Sequence, residues 1–232
     1  FSIAKLPCHP AEEEETINHT NYFSLLKRKS LLLGSIAIFL YVGAEVVIGS
    51  FTINYLVKIN MAEISECPIG EPMWQALGVI FDNPNLINAD PKAMVAIFLC
   101  FYWGGAMVGR FIGARISRRF SPSKMLTTVA LCNVALILLA INTTGLFSMI
   151  SLLSVGLFNS IMFPTIFALA CEGIDELKSQ ASGLLCTMIV GGGLIPILFG
   201  FFTDQVGFIL AFLTLVACYG YITFFGFYKS SR

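Results

Sequence analysis

The side chains that could do chemistry in this chain are few, and several lie where polar groups are costly. Glu45 stands in Tyr41-Val-Gly-Ala-Glu-Val-Val-Ile-Gly-Ser50, midway along an apolar run. At roughly 1.5 Å per helical residue it is about 20 Å from the charged end of that run. An acid at that depth in a membrane costs about 3 kcal/mol or more unless it is protonated, paired or facing water. On a helix Tyr41, Glu45 and Thr52 share one stripe, because four and seven residues are near whole turns. Glu45 is therefore either a cavity-lining hydrogen-bond partner or proton carrier, or a neutral acid pinning a helix contact. Asn54 lies nine residues on and faces roughly the other way. It joins Glu45 in one cavity only if the helix is broken near Gly49, as solute-binding membrane helices are. Otherwise Asn54 marks the outer helix end.

A second group lies further along. Gly156-Leu-Phe-Asn-Ser-Ile-Met-Phe-Pro-Thr-Ile-Phe-Ala-Leu-Ala-Cys-Glu-Gly173 carries Asn159, Pro164 and Glu172. Pro164 breaks the helical ladder and permits a kink. Asn159 is a candidate lining residue, and Glu172 at the boundary reads as a gate or anchor. Gly104-Gly-Ala-Met-Val-Gly-Arg-Phe-Ile-Gly-Ala-Arg-Ile-Ser-Arg-Arg119 holds Arg110, Arg115 and Arg119 at an inner helix end. These arginines either latch onto carbonyls and acids such as Glu172 and Asp175, or simply anchor the helix to the membrane surface. Both histidines, His9 and His19, fall in the polar N-terminal stretch, and five of the seven cysteines fall inside apolar runs. There is no CxxC pair and no Cys/His cluster, so neither a metal nor a cofactor is expected. An intramembrane enzyme would need paired acids, a Ser/His pair or a His-rich site at membrane depth, and the chain is not read as an enzyme.

The elements that position these residues must be membrane helices. The chain is 56% hydrophobic, and only 12% of its 232 residues are Asp, Glu, Lys or Arg, against about 25% in a soluble domain. Its mean hydropathy is +0.81. Six apolar segments fall near 31–57, 93–116, 125–141, 146–171, 181–202 and 206–228, each near the roughly 20 residues a span requires. Turns are expected at Asn142-Thr-Thr-Gly145 and at Thr203-Asp204-Gln205. With the N-terminus inside, the inner side holds Lys5, Lys27, Arg28, Lys29, Arg118, Arg119, Lys124, Lys178, Lys229 and Arg232, and the outer loops hold only Lys58 and Lys92. That bias puts both termini in the cytoplasm, which an even number of spans requires. The outer 58–92 loop carries Pro68, Pro72, Pro84 and Pro91, with Trp74, Phe81 and a lone Cys67. Its role stays open. The net charge is +0 and no basic block suggests nucleic acid. Gly105, Gly109 and Gly113 in the second segment are echoed by Gly192, Pro196, Gly200 and Asp204 in the fifth. These are the middle helices of two successive triplets, the pattern of inverted three-helix repeats.

The residues together resemble the major facilitator superfamily, and within it the fucose:proton symporter and glucose/galactose transporter branch. The resemblance is carried by the 41–50 stretch with Asn54-Tyr55, the 104–119 stretch, Phe163-Pro-Thr-Ile-Phe-Ala-Leu-Ala170 with Glu172-Gly173, and Gln180-Ala-Ser-Gly-Leu-Leu185 followed by Gly191-Gly192. It covers nearly everything from residue 31 onward. It implies an all-α integral membrane fold, the C-terminal six-helix half of a twelve-helix protein. Residues 1–30 would be the end of helix six and the cytoplasmic central connector, and 31–232 the six-helix bundle. The opening Phe1-Ser-Ile-Ala-Lys-Leu-Pro7 is accordingly read as the tail of an earlier segment. The implied function is import of a sugar such as glucose, galactose or fucose by proton symport with alternating access, in the inner membrane. The implied partners are the sugar, H+, the lipid bilayer and the missing N-terminal half. That half would hold the proton-coupling carboxylates. Glu45, Asn54 and Asn159 would bond sugar hydroxyls and Tyr41 would stack on the ring, while Arg110, Arg115, Arg119 and Glu172 would form the inner latch. Alternatives are a major facilitator exporter of drugs or metabolites, a non-transporting membrane scaffold and an intramembrane enzyme.

Overall fold

A computed structural model describes residues 25, 27–59, 79, 91–174 and 177–231. The acidic connector with Cys8, His9 and His19, the stretch 60–78 with Cys67 and Trp74, residues 80–90 with Phe81, Asp175 and Arg232 lie outside the described residues. So do the side chains of Lys58 and Lys92.

Apolar runs without interior water must satisfy their own backbone, and helices do so residue by residue. The described chain is accordingly helical: α1 Lys29–Ile59, α2 Pro91–Ile116, α3 Pro122–Asn142, α4 Gly145–Asn159, α5 Met162–Cys171, α6 Lys178–Thr187, α7 Gly191–Val206 and α8 Phe208–Ser230. No strand occurs among the described residues. A 3-10 turn, Met188–Val190, joins α6 to α7. Five stretches are long and apolar enough to cross a membrane: Lys29–Leu56, Pro122–Asn142, Phe147–Cys171, Lys178–Val206 and Phe208–Ser230. The sixth span is α2, whose 26 residues reach about 39 Å. Large apolar side chains such as Phe111, Ile197 and Phe227 stand exposed on α2, α7 and α8, as lipid permits and water does not.

One turn differs from the expectation. Thr203-Asp204-Gln205 remains inside α7, and the chain reverses at Gly207 instead. Gly207 takes φ 82°, a left-handed value that suits glycine, and its N–H closes the helix on the Thr203 carbonyl at 3.0 Å. Three polar side chains in a helix do not end it; a residue able to leave the right-handed region does.

No break occurs near Gly49, the condition under which Glu45 and Asn54 would share one cavity. α1 runs through that position as 31 continuous residues.

The packing follows an exchange of triplets. Let α1, α2, α3 be one triplet and α4–α5, α6–α7, α8 the other. α2 packs on α4, and its counterpart α7 packs on α1; α3 packs on α4, and α8 on α1; the two third members, α3 and α8, pack on each other. Exchanging the triplets leaves this map unchanged, and the fourth span runs antiparallel to the first. These are inverted repeats. Glycine makes the equivalent seams close. A Cβ added at Gly109 would overlap the Leu157 carbonyl oxygen, and one at Gly191 would overlap the Phe39 carbonyl oxygen.

Candidate functional site

A hollow of about 630 Å³ opens between α1, α2, the start of α3 and the α4–α5 junction. That is within the size range of small-molecule sites. Tyr41 and Glu45 line it from α1, Arg110 from α2, and Ser160, Phe163 and Pro164 from the junction. Tyr41 and Glu45 share it because they are one turn apart on an unbroken helix.

The junction wall exists because of Pro164. A proline ring collides with the carbonyl four residues back and offers no N–H. Four residues back is Ser160, where α4 stops; Ile161 sits at φ −105°, ψ −6°, and α5 begins at Met162. Hydroxyls serve the main-chain oxygens around the break. Ser160 Oγ donates to Leu157 O at 2.8 Å, Thr165 Oγ1 to Ile161 O at 2.6 Å, and Tyr41 Oη to Asn159 O at 2.9 Å. These are the partners that a helix end buried in a bundle requires.

Behind the hollow lies a buried polar hub centred on Asn159. Asn133 Nδ2 and Tyr219 Oη donate to Asn159 Oδ1 at 2.7 and 2.9 Å, and Asn159 Nδ2 donates to Tyr102 Oη at 3.0 Å. Asn159 and Asn133 are both 0% exposed. Glu45 is half-buried and lines the hollow one helical turn from Tyr41.

The structure thus brings together only part of the expected set. Glu45, Tyr41 and Arg110 share the hollow. Asn159 does not line it, because its side chain is spent on three interior partners. The Tyr41 ring is not free to cover a ligand either. It is buried, with its centroid 6.3 Å from that of Phe163, and Phe163 is the half-buried aromatic at the wall. Asn54 is exposed and belongs to a separate hollow with Phe51, Thr203 and Asp204, since the unbroken α1 turns it away from Glu45.

The expected latch is also rearranged. Glu172 pairs with Lys229 of α8 at 2.9 Å, and Lys229 also donates to Ser30 Oγ at 2.9 Å. Arg28, not one of the α2 arginines, donates to the Gly173 carbonyl at 2.8 Å. Arg115 and Arg119 stand exposed at the end of α2. The helices nearest Glu172 are α1 and α8, which is why their basic residues reach it first.

Sequence reasoning missed Asn133, Tyr102, Tyr219 and Lys229. Asn133 had a signal, as the amide in the middle of an apolar 21-residue helix. The tyrosines had none, because membrane helices hold tyrosine for many reasons. Among the described residues no group of three or more His, Cys, Asp or Glu side chains is placed to hold a metal ion.

No family model matches the chain. The chain is 40% identical to a glucose/galactose transporter of Brucella abortus (strain 9-941), over 97% of this chain and 48% of that protein. It is 38% identical to a putative glucose/galactose transporter of Helicobacter pylori (strain J99), over 93% and 47%. It is 34% identical to the L-fucose-proton symporter of Escherichia coli K12, over 59% and 32%. The chain spans about half the length of the curated relatives it matches. Among solved structures it is similar to the major facilitator superfamily transporter FucP in its outward conformation. There the TM-score is 0.76 and the identity 26%, over 92% of this chain and 45% of the other.

Proposed function

We propose that this chain, which belongs to the major facilitator superfamily, forms the sugar-facing C-terminal half of a proton-coupled sugar importer. The observation that carries the reading is the hollow, where a half-buried acid, a guanidinium and an aromatic ring converge at a helix break. Sugars present hydroxyls, which both donate and accept, and an apolar ring face. Glu45 supplies acceptors, Arg110 supplies donors, and Phe163 supplies the aromatic surface. Support for a hexose substrate comes from the glucose/galactose and fucose relatives. Support for proton coupling comes from the L-fucose-proton symporter of Escherichia coli.

In this reading a further six-helix half completes the cavity, and the two halves rock about it. The basic ends of the helices face the cytoplasm, with both termini on that side of the cell membrane. The test is the full-length protein in proteoliposomes. Glu45→Gln is expected to weaken both proton-driven uptake and counterflow of labelled glucose or galactose while leaving the protein folded. Normal uptake by that variant would remove Glu45 from the site. Efflux of apolar cations with no hexose movement would favour an exporter.

A further inference from the structure

The Tyr41 hydroxyl has one proton. It donates to the Asn159 main-chain oxygen at 2.9 Å, in a buried bond. The Glu45 carboxyl, one turn along the same helix, lines the same hollow. A phenol donates once and accepts through its remaining lone pairs. Whatever Tyr41 gives to Asn159 it cannot give to the hollow.

We infer that Tyr41 is a specificity-determining residue that faces the hollow as a hydrogen-bond acceptor, so that the Tyr41–Glu45 face selects a sugar by the hydrogen of one of its hydroxyls. The inference rests on the sugar-transport reading and sharpens it. Three observations support the polarity. First, the Asn159 carbonyl lies at the α4–α5 break, and leaving it unpaired in the bundle interior would cost the desolvation of a buried acceptor. Second, Asn159 cannot swing after a departing tyrosine, because Asn133, Tyr219 and Tyr102 hold its side chain. Third, Arg110, which lines the same hollow from α2, has only donors. The hollow is therefore polarised, with acceptors on α1 and donors on α2. The hydroxyl that meets α1 is held there through its hydrogen alone. A fluorine in its place can only accept, and a hydrogen can do neither.

The full-length transporter in proteoliposomes provides the test, with singly deoxygenated and singly fluorinated D-glucose and D-galactose competing against counterflow of the labelled parent sugar. At one ring position the deoxy and fluoro analogues should both be weaker than the parent by about five- to tenfold, the size of one hydrogen bond, and equal to each other within about twofold. Tyr41→Phe should weaken the parent by a similar factor and leave those two analogues unchanged. The inference is overturned if every weak deoxy position is rescued by fluorine, which would mean that the sugar accepts there. It is also overturned if the analogue pattern survives Tyr41→Phe intact. If Tyr41→Phe does not fold, the same panel on Glu45→Leu decides: the pattern kept in that variant places the acceptor on Tyr41, and its loss places it on Glu45 and overturns the inference. Absence of any hexose counterflow by the wild type would overturn the sugar reading and this inference with it, whereas counterflow with fluorine rescue would sink the inference alone.

Discussion

Replacing Asn159 by leucine keeps the side chain's approximate size and removes the centre of the hub. Three side-chain hydrogen bonds disappear together, to Asn133, Tyr219 and Tyr102. Interhelical hydrogen bonds in membrane proteins average about 0.6 kcal/mol each, so three give a floor of about 2 kcal/mol. The orphaned groups add to it. Tyr219 is 0% exposed and Tyr102 is 1% exposed, so water cannot replace the lost partner. A buried polar group stripped of its partner costs about 1–3 kcal/mol. Some relaxation is available, and the expected total is about 3 kcal/mol. The assay is reversible SDS unfolding of the full-length protein in mixed micelles, read as a double-mutant cycle with Tyr219→Phe. Alone, Tyr219→Phe should cost about 1 kcal/mol, because it removes one hydrogen bond. In the Asn159→Leu background it should be neutral or stabilising, because it removes an orphaned hydroxyl. If Tyr219→Phe costs the same in both backgrounds, the two groups are not coupled and the hub is not the energetic unit described.

The seams and the basic end give two further expectations. Gly109→Leu should collapse the yield of folded protein, because its Cβ already overlaps the Leu157 carbonyl oxygen, while Gly220→Leu, with open space around it, should not. Size-exclusion profiles in detergent separate the two, and equal yields would refute the close α2–α4 approach. Glu172→Gln should change stability by less than about 1 kcal/mol even though it breaks the pair with Lys229, because the glutamate side chain is 67% exposed and solvent screens it. A large, salt-independent loss in the same unfolding assay would show that the pair is shielded from water.

The six apolar segments were legible because lipid imposes a length and leaves no room for charge. Their ends were less so. Residues 203–205 look polar enough to turn, yet the turn waits for Gly207, because helix termination depends on which residue can leave the right-handed region. Pro164 was legible as a break for the same kind of local reason. The site was half legible. Glu45 and Tyr41 follow from helical periodicity alone, whereas the sequence reads Arg110 as part of the inner latch, and only the packing of α2 beside α1 brings it into the hollow. What periodicity cannot give is which neighbour a side chain meets. Asn159 reads from sequence as a polar residue seeking a ligand, and only the packing of α2, α3 and α8 around it shows its capacity already spent. Lys229 replaces the α2 arginines at Glu172 for an equally non-local reason, since α8 returns to the same end of the bundle beside α1.

Helices in lipid gain little from hydrophobic contact with one another, so a bundle must be joined by close backbone approach and by polar groups. The two devices are divided here along the inverted repeat. Glycine makes the pair of symmetry-related seams, α2 on α4 and α7 on α1. Among the described residues the hub has no such twin. Through Tyr41, Tyr102, Asn133 and Tyr219 it ties Asn159 of α4 to α1, α2, α3 and α8. The α6–α7 span enters instead through Gly191 and Gly43 and through the ring of Phe199, and it is the least buried of the five apolar spans identified. A rocking mechanism needs a half that moves as one body, yet one whose hollow can respond to what fills it. Placing the hub behind the α4–α5 break meets both demands. The same atoms that hold five helical segments together also fix the carbonyl that sets the direction of the Tyr41 hydroxyl. The rigidity of the half and the polarity of its site are then one property, and a change that loosens the first will blur the second.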